Sequence, residues 1–321
     1  RRWLGRALRA QGRLVEARAA YRQALKRAPR DAAVLNDLGN AYVAEGNHDQ
    51  AVRQFELAAK ADPRLAEPHY NRAHALRQAG REDEAKAALG RYLELAPEDP
   101  AGARLVLASL GAAPPPPEAG AAYVRALFDE SALRFERLLV EELGYRGPEL
   151  IHELAAPLTG ERLAMLDLGC GTGLAALPWK PRARRLVGVD LSPAMLAAAR
   201  ARRIYDSLHE AEIGAFLAAT EERFDLMLAA DLLIYIGAIE PLFVAAAARL
   251  NPRGLFAATA EAAAEPDAVT VGRGLRYAHG QATIARAAAA SGLSVAAWRT
   301  APGRSESGRP VPFHVFVLRK E

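Results

Sequence analysis

The sequence predicts a two-domain chain: an all-α solenoid of paired helices in front and an α/β domain with a largely parallel sheet behind. Three observations carry this. Residues 1–110 repeat with a period of 34. Four consecutive prolines, Pro114 to Pro117, then interrupt every regular pattern. Beyond them, strand-like apolar runs alternate with amphipathic helical ones, and three glycines crowd the end of the first strand.

Composition bounds the function classes. The 321 residues are 51% hydrophobic and 25% charged, enough apolar material for sizeable cores. Forty-two basic residues face 38 acidic ones, a net charge of +4. The arginines are spread along the chain, so no basic block argues for nucleic acid as a partner. Cys170 is the only cysteine, which excludes an internal disulfide and a thiolate metal cluster. That usage, with no apolar stretch of spanning length and no signal-like segment, sets the expectation of a cytoplasmic protein without membrane contact. The chain opens at Arg1, inside a repeat, so further repeats are expected upstream.

Each column of the 34-residue repeat has a mechanical reason. Gly5 falls on Gly39 and Ala73, and Ala17 on Ala51 and Ala85. These small residues let two helices approach closely. Gly12, Gly46 and Gly80 end the first helix of each pair in a left-handed cap. Tyr21, Phe55 and Leu89 fill the gap between paired helices. Pro29, Pro63 and Pro97 stop the second helix. Period and residue types together resemble tetratricopeptide repeats across residues 1–110, about three copies with the first incomplete. The resemblance implies a scaffold that offers a concave groove to a protein or peptide, with Asn36, Asn40, Tyr70 and His74 pointing into it. The plainer alternative makes these four solvated helix-face residues. Residues 111–120, "GAAPPPPEAG", read as a stiff polyproline linker, and the domain boundary falls there.

The back half, 121–321, begins with an amphipathic stretch at 123–145 that suits one or two helices. Seven strands are expected: 162–168, 185–191, a weaker one from Leu208 to Ile213, 224–230, 254–261, 293–300 and 313–320. Helices are expected at 193–203, 240–250 and 280–293. The last two strands have no helix between them and are expected to pair as a hairpin at one edge.

The glycine turn narrows the ligand. A glycine-rich turn at a strand's carboxyl end lets backbone approach a ligand without Cβ clashes. Here the glycines are Gly169, Gly171 and Gly173, and Leu174 stands where a dinucleotide fingerprint needs its last small residue. Asp167, two before the first glycine, suits a cationic amino-acid head group better than a pyrophosphate.

The pattern D-x-G-x-G-x-G, with "VDLSPAML" after it, resembles class I methyltransferases that use S-adenosylmethionine, and more narrowly a bacterial group with tetratricopeptide repeats in front. The resemblance covers about residues 120–321. It implies a Rossmann-like seven-stranded domain with S-adenosyl-L-methionine as cofactor. The implied contacts are Asp167, Gly169, Cys170, Gly171 and Gly173 in the turn, and Asp190 with Leu191 at the ribose. Glu212 and Ile213 would meet the adenine, and Ala230 would edge the transfer pocket. Phe128, Asp129 and Phe135 match the lid helices; the Phe at 128 replaces a frequent Tyr. Pro178 falls where the helix after the turn belongs and shortens or kinks it. Arg253 stands where the family carries the second glycine of a Pro-Gly-Gly turn, after the 240–250 helix.

Methyl transfer from a sulfonium needs alignment first, and a general base only when the acceptor must lose a proton. Asp231, after the fourth strand, is the leading candidate for that base. A helix N-cap or a contact to a ligand amine is its alternative role. Tyr235 reads as a pocket wall. His279, in "RYAHG", is expected in a loop on the acceptor side; a structural His is the alternative. The activity expected is S-adenosylmethionine-dependent methyl transfer, with the repeats recruiting a protein substrate or partner and the acceptor itself unspecified. The alternative is a non-catalytic repeat scaffold with a cofactor-binding methyltransferase-like domain.

Overall fold

In the computed structural model the repeat columns become helix pairs: α1 (Arg2–Ala10) with α2 (Leu14–Arg27), α3 (Ala32–Ala44) with α4 (His48–Ala61), and α5 (Glu67–Gln78) with α6 (Glu82–Leu95). A shorter α7 (Ala103–Ser109) follows. The structure describes residues 1–131, 136–306 and 308–321. It divides into two compact units, Arg1–Ala113 and Pro114–Glu321.

The mechanics of the first unit follow the repeat. Gly12, Gly46 and Gly80 hold φ of +74°, +75° and +72°, the left-handed caps that end α1, α3 and α5. A Cβ on Gly5 would lie 2.4 Å from the Tyr21 ring, and one on Gly39 2.5 Å from the Phe55 ring. The glycine column is thus small because an aromatic from the paired helix lies flat against it. Asp31 and Asn47 accept the backbone N–H of Val34 and Gln50 and cap α3 and α4. Gly39→Ala is expected to cost about 1–3 kcal/mol through overpacking against Phe55. Urea unfolding with the midpoint unchanged would refute that packing account.

One groove residue differs from expectation. Asn36 is only 4% exposed, and its Oδ1 accepts a hydrogen bond from Asn71 Nδ2 at 3.0 Å. One position on, Asp37 takes Arg2 Nε at 2.6 Å. Both bonds span 35 residues and tie the first helices of neighbouring pairs together. Asn36 thus sits in repeat-to-repeat packing, with its Oδ1 engaged by Asn71. Asn40 and Tyr70 remain half-buried, with Tyr70 tilted against Tyr92 at 5.4 Å, and His74 is exposed.

The second unit opens with a segment that is not a bare spacer. The carbonyl of Pro117 accepts N–H bonds from Gly237 and Ala238, Pro116 O accepts the Tyr277 hydroxyl, and Ala119 N donates to Tyr235 O. Proline lacks a donor but keeps its carbonyl, so this run straps itself to the domain by accepting. Helix α8 (Ala121–Ser131) follows, then a helical segment at Arg137–Glu142 and α9 (Gly147–Ala155). Phe135 lies outside the described residues.

The remaining elements run β1 (Leu163–Leu168), β2 (Ala183–Asp190), α10 (Pro193–Arg202), β3 (Ser207–Glu210), α11 (Ile213–Ala219), β4 (Phe224–Ala229), α12 (Glu240–Arg249), β5 (Leu250–Ala262), β6 (Val269–Val271), β7 (Tyr277–His279), α13 (Gln281–Ala290), β8 (Leu293–Glu306) and β9 (Arg309–Lys320). Strands pair in the order β3-β2-β1-β4-β5, all parallel. The terminal hairpin adds β9 antiparallel on β5, with β8 outside it. Two short strands that sequence reading missed, β6 and β7, extend β5 at its carboxyl end.

Period-two alternation splits the sheet into two cores. Leu166, Val187, Met227 and Phe256 face α11, α12 and α13, meeting Leu217, Phe243 and Ile284. Met165, Leu186, Leu226 and Leu255 face the other way, onto Leu150, Ile151 and Trp179. One local expectation is corrected. The weak strand stops at Glu210, and Ile213 opens α11, because Leu217 from a helix-favouring run reaches the core. Between β1 and β2, Pro178 and Pro181 leave only a 3-10 turn, Leu177–Arg182.

Candidate functional site

The order 3-2-1-4-5 reverses direction between β1 and β4. Ligands in open α/β sheets bind in the crevice at such a switch, beyond the carboxyl ends of the strands. Gly169, Gly171 and Gly173 fill that crevice's floor with φ of +64°, +52° and +93°. No residue with a Cβ adopts that sequence of conformations without strain. Gly173 N closes the turn on Cys170 O at 2.8 Å, and Cys170 N donates to Val189 O. The neighbours of the glycines differ. A Cβ on Gly171 would meet open space, so its backbone faces the crevice. A Cβ on Gly169 would press on Leu232 Cδ1 at 3.1 Å, and one on Gly173 on the Tyr205 ring at 3.0 Å.

Asp190 ends β2 and is 8% exposed. Its Oδ2 accepts Gly171 N and its Oδ1 accepts Ser192 N, both at 2.8 Å. Burial raises its carboxyl above the usual range, against the pull of those backbone donors. Each oxygen keeps a lone pair, so the carboxylate can still accept two hydroxyls. Ser192 caps α10 and donates to Asp129 Oδ1 at 2.5 Å, which brings α8 onto this edge. Arg125 of α8 pairs with Glu210 at the end of β3, and Phe128 meets the Tyr235 ring edge-on at 5.4 Å.

Asp167 lies beneath the turn. It is 1% exposed, and its Oδ2 accepts the Tyr205 hydroxyl at 2.6 Å. Burial pushes its carboxyl up to about 7, while Tyr205 pulls it down and Asp190 adds to the rise. Tyr205 escaped sequence reading, since a tyrosine in "RIYD" follows a helix end with no motif around it. Its ring, with Leu208, also leaves no room at Gly188, where a Cβ would lie 2.7 Å from Leu208 Cδ2 and 2.9 Å from the Tyr205 ring. An acid whose folded pKa is raised costs stability as pH climbs from its unfolded value, about 3.9, towards the folded one. Tyr205→Phe removes the donor and raises the folded pKa further. Variant and wild type are expected to differ least near pH 5 and to diverge above about pH 7, by about 1.5–3 kcal/mol. Urea midpoints across that range check it, and a pH-independent gap would contradict it.

The other predicted residues spread along the strand ends. Leu191 is half-buried after Asp190. Glu212 is exposed at the N-cap of α11, with Ile213 packed on the core edge. Ala230 borders the opposite core at the end of β4. Cys170 is buried, and its burial raises the thiol well above its ordinary value.

Asp231 follows in the left-handed region at φ +54°, its N–H held by Thr259 Oγ1 at 2.9 Å. Its Oδ1 lies 3.3 Å from Arg304 Nη1. Burial raises this carboxyl, and Arg304 and Arg276 oppose the rise. Neither arginine was singled out from sequence; they come from β8 and the approach to β7. His279 is corrected from loop to strand. It sits on β7, fully buried, with Nε2 3.2 Å from Leu233 O.

Residues 165–254 match a family model described as "Methyltransferase domain", and residues 2–66 and 43–110 match two described as "Tetratricopeptide repeat". The ubiquinone biosynthesis O-methyltransferase of Cereibacter sphaeroides is 32% identical over 113 residues, 34% of this chain and 45% of that protein. The same-named protein of Nitrobacter winogradskyi is 31% identical over 99 residues, 30% of this chain and 38% of that protein. The chain thus spans less than half the length of these curated relatives. Among solved structures, the 1,6-didemethyltoxoflavin-N1-methyltransferase of Burkholderia thailandensis, with bound 1,6-didemethyltoxoflavin and S-adenosylhomocysteine, superposes with a TM-score of 0.51 at 20% identity. That match covers 62% of this chain and 88% of that one, and it shows a shared fold. This chain joins tetratricopeptide repeats to a domain of the methyltransferase family.

Proposed function

We propose that the second unit binds S-adenosyl-L-methionine and transfers its methyl group to an acceptor brought by a partner of the repeats. The observation that carries the reading is the cradle. Three glycines at positive φ end β1, and Gly171 faces open space while donating to Asp190, whose remaining lone pairs suit a ribose. The residues fit the cofactor. Backbone of Gly169, Cys170, Gly171 and Gly173 would approach its methionine part. Asp190 with Leu191 would hold the ribose, and Glu212 with Ile213 the adenine. Asp167, buried beneath the turn, would favour the cationic head group through the field of its charge. Bound there, the cofactor supplies an electrophilic methyl group.

On the acceptor side, Ala230 forms the edge and Asp231 takes the proton of an acceptor that must lose one. His279 receives no acceptor contact in this reading, because it is fully buried and held by Leu233. Asn40, Tyr70 and His74 form the recruiting face of the repeats.

Calorimetry with S-adenosylmethionine tests the cofactor; folded protein that fails to bind at millimolar ligand would overturn it. Labelled methyl transfer into cell extract separates catalyst from scaffold. The Tyr70→Ala/His74→Ala double variant is expected to keep cofactor affinity and to lose labelling of extract protein. Unchanged labelling would remove the recruiting role.

A further inference from the structure

Among the described residues, five charged side chains meet at the carboxyl ends of β4, β5 and β8. Arg304 is the hub, 2% exposed, with its guanidinium 5.1 Å from the Phe313 ring. It pairs with Asp231 at 3.3 Å, with Glu306 at 2.8 Å and closely with Glu261. Arg276 pairs with Glu261 at 2.8 Å and closely with Glu306. Three carboxylates thus share two guanidiniums. Desolvated charge is tolerated when it is balanced, and among the described residues this cluster carries one negative charge in excess.

A second feature points into the same place. The Tyr145 hydroxyl is buried, at 7% residue exposure, and among the described residues it makes no well-formed hydrogen bond, Thr259 being the polar side chain that faces it. Its backbone neighbours fix it beside the hub: Arg146 N donates to Gly303 O and Ser305 N to Leu143 O, at 2.8 and 2.7 Å. After burial, the Asp231 carboxylate is what most raises its phenol. A buried polar group without a well-formed bond calls for a ligand or a water. Tyr235, stacked edge-on with Phe128, forms an aromatic wall and feels Asp231 as well.

We propose that this cluster selects the acceptor by charge: it takes a primary amine, entering as its ammonium, which restores neutrality beside Asp231 and meets the Tyr145 oxygen. This rests on the acceptor site lying at Asp231. The ammonium N–H bond breaks, its electron pair stays on nitrogen, and the proton passes to the Asp231 carboxylate, leaving a neutral amine as the nucleophile. A carboxylate acceptor would add a second uncompensated negative charge. A free small amine and a protein lysine share this chemistry.

The test is calorimetry on the full chain saturated with S-adenosylhomocysteine, using probes of matched shape and opposite charge. Tyramine is expected to bind at least tenfold more tightly than 4-hydroxyphenylacetate. Nα-acetyl-lysine methylamide binding better than tyramine would support the ammonium and point to a protein lysine; the reverse order would support it and point to a small amine. Glu306→Gln, at a partly exposed position, balances the cluster at two charges of each sign and is expected to shrink the tyramine preference at least fivefold. Equal or tighter binding of the acid, no binding of any amine, or an unchanged preference in Glu306→Gln would overturn the proposal. Failure of S-adenosylhomocysteine itself to bind would instead overturn the cofactor reading.

Discussion

Asp190→Asn is expected to abolish measurable binding of S-adenosylmethionine while leaving a folded protein. Two hydroxyl bonds to a buried carboxylate are worth about 1.5–3 kcal/mol each, so their loss weakens affinity by roughly 10² to 10⁴-fold. The substitution also touches the unliganded site, because Asp190 receives Gly171 N on one oxygen and Ser192 N on the other. An amide keeps one acceptor and turns a donor towards the other N–H, which costs about 1–3 kcal/mol. Calorimetry reads the first effect and thermal unfolding the second. A variant with wild-type affinity would remove the carboxylate from the ribose and leave it only as the clasp between the ends of β1 and β2.

Arg304→Met is expected to be the most damaging single change for stability. Removing one partner of a buried ion pair costs about 3–5 kcal/mol, because the opposite charge remains uncompensated. Here Asp231, Glu261 and Glu306 all lose their shared guanidinium, and Arg276 remains for two of them. The loss has a signed pH dependence. Without Arg304 the folded pKa of Asp231, already raised by burial, rises further, so the folded state binds more protons than the unfolded one. Stability then falls as pH rises from the unfolded value, about 3.9, and recovers towards pH 4. Urea midpoints at pH 5 and pH 8 check this: the deficit against wild type should be clearly larger at pH 8. An equal deficit at both would assign the loss to packing against Phe313 and not to charge.

The front half was legible almost column by column. A period of 34 and the residue types within it demand stacked pairs of helices, since each column solves a local problem of cap, gap or stop. Asn36 shows the limit. Its place on the helix is fixed by the repeat, yet its engagement with Asn71 depends on how closely two repeats stack. In the back half, the glycine turn and the acid after β2 are local features, and both stand at strand ends. Tyr205 and Arg304 carry no local signature. One reaches Asp167 across 38 residues and the other Asp231 across 73.

His279 makes the same point from the other side. "RYAHG" looks like a loop because three residues before a glycine are too few to display a strand's alternation. Pairing with Glu261 and Ala262 of β5 makes it a strand and buries the ring. The polyproline run likewise reads as a spacer, because proline offers no donor. Its carbonyls become acceptors only when the turn after β4 lies beside them.

The sequence by itself determined the repeats, the parallel sheet and the cradle, because period, alternation and glycine spacing act within a few residues along the chain. Only the tertiary structure decided which charges meet: the buried Asp167 under Tyr205, the three carboxylates around Arg304, and the open face of Gly171. Those contacts join residues tens of positions apart, and electrostatic balance in a desolvated site depends on spatial neighbours that no local pattern encodes.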